Sequence, residues 1–136
     1  MPSIQKFEVR TSGHSEFREI TSEVEAVVSA SGVKSGSVTV FVPHTTAGLT
    51  INENADPDVK SDMLKSLDLM VPWQQKHFQH GEGNSAAHVK ASLMGFSATV
   101  LIDDGVLALG MWQGIYLCEF DGPRTRQVWV RVNGGS

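Results

Sequence analysis

Residues 37–43 read Ser37-Val38-Thr39-Val40-Phe41-Val42-Pro43, the most strand-like run of the chain. β-Branched and aromatic residues favour extended backbone, and proline has no N–H to donate to a ladder, so the strand is predicted to end at residue 43. Polar residues follow at once, because His44, Thr45 and Thr46 place an imidazole and two hydroxyls at that end. The run therefore predicts a strand that presents polar groups where it stops.

Alternation of polar and apolar residues predicts further strands on both sides of this run. The first two, at residues 4–10 and 16–20, are separated by a short turn and are expected to pair as a hairpin. The other expected strands cover residues 49–54, 97–102, 106–109, 112–120 and 127–132.

Three short helices are expected between these strands. A capping box at Ser22 and Glu25 predicts the first helix, which Gly32 would end. Asp56 followed by Pro57 predicts the start of the second, and the third is expected from about Ser85 to Gly95. Because strands outnumber helices and the helices do not alternate regularly with them, the class is α+β, with a mostly antiparallel or mixed sheet.

Composition limits the function classes. The 136 residues suit one domain spanning residues 1–136, with a flexible tail from about residue 133 to residue 136. The net charge is −4 and the eleven Lys and Arg residues are scattered, which argues against nucleic-acid binding. No apolar run approaches the roughly 18 residues needed to cross a bilayer, so a cytoplasmic protein is expected. Cys118 lies in an apolar run and is expected to be buried and inert.

The stretch from His80 to Lys90 combines two imidazoles, a carboxylate, a carboxamide and an ammonium within eleven residues. Its first half, His80-Gly81-Glu82-Gly83-Asn84, is typical of a loop that displays polar groups. Its second half predicts a helix capped by Asn84 or Ser85. A helix N-terminus offers unpaired N–H donors and the positive end of a dipole, which suits an anion.

Three histidines near these polar groups, His44, His80 and His88, suggest a site for a divalent metal ion such as Zn²⁺. Glu53 and Glu82 are candidate general bases, and either could instead support a metal or bind Mg²⁺. The alternative is that the histidines are hydrogen-bonding surface or core groups. That interpretation is preferred for His14 and His77.

Four separated motifs carry a resemblance to a known family. They are Phe41-Val42-Pro43-His44-Thr45-Thr46-Ala47-Gly48, Asn52-Glu53-Asn54, His80-Gly81-Glu82-Gly83-Asn84 with Ala87-His88-Val89-Lys90, and Leu109-Gly110-Met111-Trp112-Gln113-Gly114-Ile115. In matching order between Phe7 and Val132, they resemble the YjbQ-like family, also called the secondary thiamine-phosphate synthase family. Met111 departs from the pattern, because the family has threonine there, and one hydroxyl is lost.

The resemblance implies a cytosolic homotrimer with polar motifs near subunit boundaries and a weak or side thiamine-phosphate synthase activity. In that reaction, hydroxymethylpyrimidine diphosphate loses pyrophosphate and its methylene is joined to the nitrogen of a thiazole phosphate. The expected catalytic residues are His44, Glu53, His80, Glu82 and His88. The expected contacts to the phosphorylated substrate are Thr45, Thr46, Asn52, Asn84, Lys90, Trp112, Gln113 and Arg124, with Arg126 as a further phosphate holder and core packing as the alternative for Trp112.

Two other functions remain open from the residues alone. The first is metal-dependent hydrolysis of a small metabolite, in which three histidines hold the metal and Glu82 acts as base. The second is a non-catalytic trimeric protein whose polar clusters hold subunits together.

Overall fold

The computed structural model describes residues 3–135, which form eight strands and three helices. Each run of alternating residues in the sequence forms a strand, and each predicted helix is present. In chain order the elements are β1 (Gln5–Arg10), β2 (Glu16–Glu19), α1 (Thr21–Ser31), β3 (Gly36–Phe41), β4 (Ala47–Glu53), α2 (Pro57–Met70), α3 (Ser85–Met94), β5 (Ser97–Asp103), β6 (Val106–Leu107), β7 (Gln113–Glu119) and β8 (Thr125–Gly134). The α+β class is confirmed. β6 covers only two residues of the strand predicted over 106–109.

The strands form two antiparallel sheets. The first has the order β1-β8-β3-β5-β6 and the second has the order β2-β7-β4. The predicted hairpin of the first two strands is wrong, because β1 pairs with β8 and β2 pairs with β7 in the other sheet. The chain crosses between the sheets at residues 11–15, where the Thr11 N–H donates to the Arg124 carbonyl at 2.9 Å.

Two apolar layers hold the fold together. The inner faces of both sheets and one face of α1 share the main core, which is rich in valine and includes Val24, Val40, Leu117 and Val130. On the other face of the three-stranded sheet, Tyr116, Cys118 and Phe120 pack against α2 and α3. Because β7 is covered on both faces, every residue from Gly114 to Glu119 in it is buried.

The predicted start of α2 is confirmed, whereas the predicted start of α1 differs from the structure. The side chain of Asp56 accepts the Asp58 N–H at 2.9 Å, with Pro57 in the first turn, as predicted for α2. The capping box at Ser22 and Glu25 is wrong, because α1 already begins at Thr21 and has no side-chain cap. Burial of Ile20 and a hydrogen bond from the Ile115 N–H to Thr21 Oγ1 at 2.9 Å set that start.

Residues 133 and 134, the first of the expected flexible tail, belong to a strand. β8 continues to Gly134, where Asn133 and Gly134 pair with Ser37 and Gly36 of β3. The Gly135 N–H then donates to the Ser35 carbonyl at 2.6 Å. The ladder bonds explain why these residues are ordered, and Ser136 lies outside the described residues. Among residues 3–135, no helix has the length and apolar character needed to cross a membrane.

Candidate functional site

His44 follows β3 and is held by the neighbouring strand. Its Nε2 accepts a hydrogen bond from the backbone N–H of Gln127 at 2.8 Å. Since Nε2 is the acceptor, the proton of the neutral ring lies on Nδ1. Burial, with the nearby Arg126 guanidinium as the second cause, lowers the pKa of His44. The ring is therefore a neutral hydrogen-bond donor near neutral pH.

A buried ion pair lies beside His44 and links the two sheets. Arg126 of β8 donates from Nε to Glu119 Oε1 of β7 at 2.8 Å, and its Nη2 contacts the other carboxylate oxygen. Both residues are buried, with exposed fractions of 4% and 0%. The Glu119 carboxylate also accepts from Thr11 Oγ1 at 2.9 Å and from the Asp121 N–H at 3.0 Å.

The hydrogen bonds decide the ionisation of this carboxylate. Burial alone would raise the pKa of Glu119, but the bonds from Arg126, Asp121 and Thr11 outweigh it and lower the pKa. Arg126 also donates from Nη2 to Thr46 Oγ1 at 2.9 Å, so it holds the polar segment that follows β3. Arg126 is 4% exposed, and its Nε and Nη2 are bound to Glu119 and Thr46.

Asn84 precedes α3 and makes a contact that its sequence position did not suggest. Its side chain does not cap the helix. Instead Nδ2 donates to Asp121 Oδ2 at 2.8 Å, and Arg124 Nη2 donates to the same oxygen at 3.1 Å. Asn84 is 6% exposed, and its Oδ1 is buried without a hydrogen-bond partner among the described residues. A buried acceptor without a donor is costly, which makes this atom a point for a ligand or water to satisfy.

The loop before α3 brings His80, Glu82 and His88 near one another. The rings of His80 and His88 stand edge to face with centroids 5.4 Å apart. His80 Nε2 lies 4.0 Å from Glu82 Oε1, and both side chains are substantially exposed. These groups face solvent and can meet a ligand or another chain.

The three-histidine metal site is not assembled within one chain. Across residues 3–135, no group of three or more His, Cys, Asp or Glu side chains is placed to hold a metal ion. The hydrogen bond from Gln127 also occupies the His44 nitrogen that lacks a proton. His80 and His88 lie close enough together to contribute two ligands, but the residues present in one chain do not complete a site.

Lys90 differs from its predicted role as a phosphate holder. Its side chain is 2% exposed, and its ammonium pairs with the Asp68 carboxylate of α2. The pair links α3 to α2, with the Lys90 side chain buried and the Asp68 side chain exposed. Lys90 therefore supports the packing of the two helices in this chain and does not offer its charge to solvent.

The second polar cluster lies at the far end of the β4–β7 ladder. Ala47 pairs with Glu119 at one end, and Glu53 pairs with Gln113 at the other. β4 has seven residues from Ala47 to Glu53, so the two ends are about 20 Å apart. Asn52 and Trp112 also lie at the far end, so these predicted residues do not join His44 and Asn84 within one chain.

Local hydrogen bonds shape this far cluster. The Glu53 carbonyl accepts from Tyr116 Oη at 3.0 Å, and Gln113 Oε1 accepts from the Gly110 N–H at 2.7 Å. Trp112 is 59% exposed, so the alternative of core packing for this residue is wrong. The indole surface and the exposed Met111 beside it are open to contact.

Sequence reasoning missed Thr11, Glu119 and Asp121, although a signal for Glu119 was available. The alternation that places Ile115 and Leu117 on the inner face of β7 also places Glu119 there. The same alternation along β8 places Arg126 on the inner face with Val128. An acid and a base on facing buried strands predict an ion pair, because a buried charge needs a partner.

Comparison with known proteins gives one consistent match. Residues 5–135 match the family model described as "UPF0047 protein YjbQ-like". UPF0047 protein YugU of Bacillus subtilis is 50% identical over 131 residues, covering 96% of this chain and 99% of that protein. UPF0047 protein MJ1081 of Methanocaldococcus jannaschii is 48% identical, covering 95% and 93%.

Solved structures agree with this match. A YjbQ/UPF0047 protein of Clostridium acetobutylicum superposes with a TM-score of 0.93 at 52% identity, covering 95% of this chain and 99% of that one. A protein of unknown function from Sulfolobus solfataricus has the same TM-score at 30% identity, with 99% of each chain covered.

Proposed function

The chain belongs to the YjbQ-like UPF0047 family, and on that premise we propose that it is a transferase with a weak thiamine-phosphate synthase activity. The thiazole nitrogen donates its electron pair to the methylene carbon of hydroxymethylpyrimidine diphosphate. The carbon–oxygen bond breaks, its electron pair leaves with pyrophosphate, and the thiazole nitrogen becomes the positive centre of thiamine phosphate.

One observation carries this proposal. Three segments far apart in sequence meet in one hydrogen-bonded cluster, which contains His44 and Thr46, Asn84, and the two arginines on either side of Thr125, the first residue of β8. Asn84 Oδ1 in this cluster has no hydrogen-bond donor within residues 3–135. We call this end of the sandwich the Asn84 end.

The groups of the Asn84 end suit a departing anion. The first turn of α3 supplies N–H groups and the positive end of its dipole. Arg124 is exposed and held in place by Asp121, with Nε donating to the Asp121 carbonyl at 2.8 Å. His44 adds the N–H donor of a neutral ring. These groups would stabilise negative charge on pyrophosphate, and a ligand N–H or O–H would satisfy Asn84 Oδ1.

The site is completed, in this proposal, by a second copy in a homotrimer. Glu53, Trp112 and Gln113 lie about 20 Å from the Asn84 end along β4, so a neighbouring chain would supply them. His80, His88 and Glu82 are exposed or half-buried, and they would contribute ligands to a divalent ion shared between chains, Zn²⁺ or Mg²⁺. The reaction steps above do not depend on that ion.

Exposed apolar side chains support self-association. On the outer face of the five-stranded sheet, Phe41 lies between Trp129 and Phe96, with ring centroids 5.7 and 5.9 Å away. Phe96 is 63% exposed and Leu101, on the same face, is 66% exposed. Exposed apolar side chains of this size on one face are typical of a protein contact.

The proposal is tested with purified protein, the two precursors and Mg²⁺, with thiamine phosphate as the measured product. We expect slow product formation that falls at least tenfold in Asn84→Ala and in Arg124→Met. The exposed His77→Ala variant serves as a control with unchanged activity. No product from the wild-type protein, together with no rescue of a synthase-deficient strain, would rule out this activity.

A mixing experiment tests whether two chains share the site. His44→Ala and Glu53→Ala are prepared as separate inactive proteins, unfolded, and refolded together. If each site takes His44 from one chain and Glu53 from another, some sites in mixed trimers are intact and activity returns. A mixture no more active than its components would exclude the shared site.

The exposed apolar face also favours a second candidate, a non-catalytic trimeric binding protein. Ultracentrifugation of a double His80→Ala and His88→Ala variant separates the two functions. Loss of the trimer without any effect on ligand binding would support assembly. An intact trimer that no longer binds substrate would support a site.

The proximity of the His80 and His88 rings favours one further alternative function, metal-dependent hydrolysis of a small metabolite. Elemental analysis of the purified protein tests it, together with thermal unfolding after addition of zinc. Absence of bound transition metal and an unchanged melting temperature would count against this alternative.

A further inference from the structure

We infer that Glu119 and Arg126 are positioning residues that fix the ring orientation and the tautomer of His44. This inference rests on the proposed function only in treating His44 as a site residue. Glu119 and Arg126 are 0% and 4% exposed, and their side-chain hydrogen bonds are made to other groups of the chain. Their effect must therefore pass through other side chains and the backbone.

The first connection runs from the buried pair to the segment containing His44. Arg126 Nη2 donates to Thr46 Oγ1 at 2.9 Å and approaches the Thr46 carbonyl at 3.4 Å. That carbonyl also accepts the Phe120 N–H at 3.2 Å. Thr46 is two residues beyond His44 and is buried, so anchoring Thr46 restricts the backbone of the whole segment.

The second connection runs through the backbone of β8. Gln127, the residue after Arg126, donates its N–H to His44 Nε2 at 2.8 Å. The position of that N–H depends on the start of β8, where the Arg126 side chain is clamped by Glu119 across the two sheets. The same ion pair thus holds the imidazole segment on one side and the hydrogen-bond donor on the other.

The carboxylate is itself fixed by further donors. Thr11 Oγ1 and the Asp121 N–H both donate to Glu119, at 2.9 and 3.0 Å. A carboxylate with this many donors has one preferred orientation, and so does the guanidinium paired with it. If Glu119 and Arg126 served only to pack the core, Arg126 would not need to bind Thr46. It would also not need to precede Gln127, whose N–H donates to His44.

The consequence is a His44 ring with one protonated nitrogen, Nδ1, as its available donor. A free imidazole in water exchanges between two tautomers, whereas an N–H donated to Nε2 selects the Nδ1–H form. For a site that binds phosphorylated substrates, a fixed N–H donor is preorganised to face a phosphate oxygen.

The test measures the tautomer directly by ¹H–¹⁵N NMR of the imidazole nitrogens of the full-length protein at pH 8. Wild-type His44 is expected to give the signature of a single Nδ1–H form. The double variant Glu119→Gln and Arg126→Gln removes both charges together, so that neither is left buried alone. In this variant we expect the His44 shifts to move toward the average of the two tautomers.

A control separates positioning from loss of stability. Val24→Ala removes buried methyl groups of α1 from the main core, and Val24 is not part of the polar cluster. It should lower the melting temperature and leave the His44 signature unchanged. His77, which is exposed and outside the polar cluster, provides an internal reference, because its shifts should be the same in every variant.

Thr46→Val supplies a second arm in case the double variant fails to fold. It keeps the shape of the side chain and removes only the acceptor of the Arg126 Nη2 bond. We expect a smaller shift in the same direction and faster hydrogen exchange of the Gln127 amide. The inference is overturned if His44 keeps the single Nδ1–H signature in whichever of these variants folds. Because tautomers are read without substrate, this result is independent of the synthase assay.

Discussion

Asn84 and Asp121 share one hydrogen bond, from Nδ2 to Oδ2 at 2.8 Å, while the other half of the Asn84 amide, Oδ1, is buried with no donor in the part of the chain that the structure describes. The Asp121 carboxylate thus determines which way the amide points, because only the NH₂ group can donate to it. The acceptor that remains is directed by a residue 37 positions away.

Asn84→Asp tests that relationship. It replaces the donor with a second carboxylate beside Asp121, and we expect a loss on the order of 1–3 kcal/mol in the free energy of unfolding. Asn52→Asp at an exposed position is the matched control and should change stability little. Urea unfolding at pH 7 measures both. Equal changes in the free energy of unfolding for the two substitutions would show that the hydrogen bond to Asp121 does not contribute to stability.

Breaking the buried ion pair should be far more damaging than breaking the exposed one. Arg126→Met leaves Glu119 charged and buried, and we expect a loss of about 3–5 kcal/mol. Arg124→Met removes an arginine that is half exposed and pairs with Asp121, so the expected loss is below about 1 kcal/mol. Chemical denaturation of the two variants compares them directly. Similar losses would mean that burial does not govern the strength of these pairs.

Stability should fall as the pH is lowered from neutral. The folded-state pKa of His44 is lowered below 6.5, so between that folded value and 6.5 the unfolded chain binds more protons and stability is lost as pH falls. Glu119, whose pKa is lowered below 4.5, adds a further loss at more acidic pH. His44→Gln should flatten the first part of this dependence, measured by urea midpoints from pH 8 to pH 5. An unchanged slope in His44→Gln, with the exposed His77→Gln as reference, would contradict the assignment to His44.

The contact between β4 and α3 should be intolerant of a single methyl group. A Cβ at Gly48 would lie 2.8 Å from the Gly95 carbonyl oxygen and 3.0 Å from that of Ala91. Gly48→Ala is therefore expected to displace α3 and destabilise the fold by about 1–3 kcal/mol. A Cβ at Gly81 meets nothing within 4 Å, so Gly81→Ala is the control. Thermal unfolding of both proteins, with α3 followed by hydrogen exchange, reports the result; equal stability would place α3 farther from β4.

The elements that sequence reasoning predicted well are those with local causes. The start of α2 depends on Asp56 and Pro57, which are adjacent, and its stop signals lie in the same stretch. The partner of β1 has no local cause, because it is set by packing between sheets. The short turn after Arg10 favoured a hairpin, but burying Phe17 against Tyr116 in the second sheet prevailed, with ring centroids 6.4 Å apart.

In the candidate site, too, the residue types could be predicted from the sequence, whereas their arrangement in space could not. The predicted site residues His44, Asn84 and Arg124 were identified from residue type, and the structure brings these three into one hydrogen-bonded cluster. The separation of Glu53 from them could not be foreseen from spacing, since it follows from the register of β4 against β7. Lys90 was misjudged because a lysine on an amphipathic helix looks exposed until the neighbouring helix and Asp68 are placed.

The position of β8 in the five-stranded sheet affects how the chain folds during synthesis. β8 is the last of the eight strands to be made, yet it lies between β1 and β3, and it pairs with both. Until it emerges, β1 has no partner in that sheet and the apolar inner edge of β3 stays open. β1 therefore stays unpaired in that sheet until β8 has been synthesised, which predicts slow folding and a need for protection from aggregation.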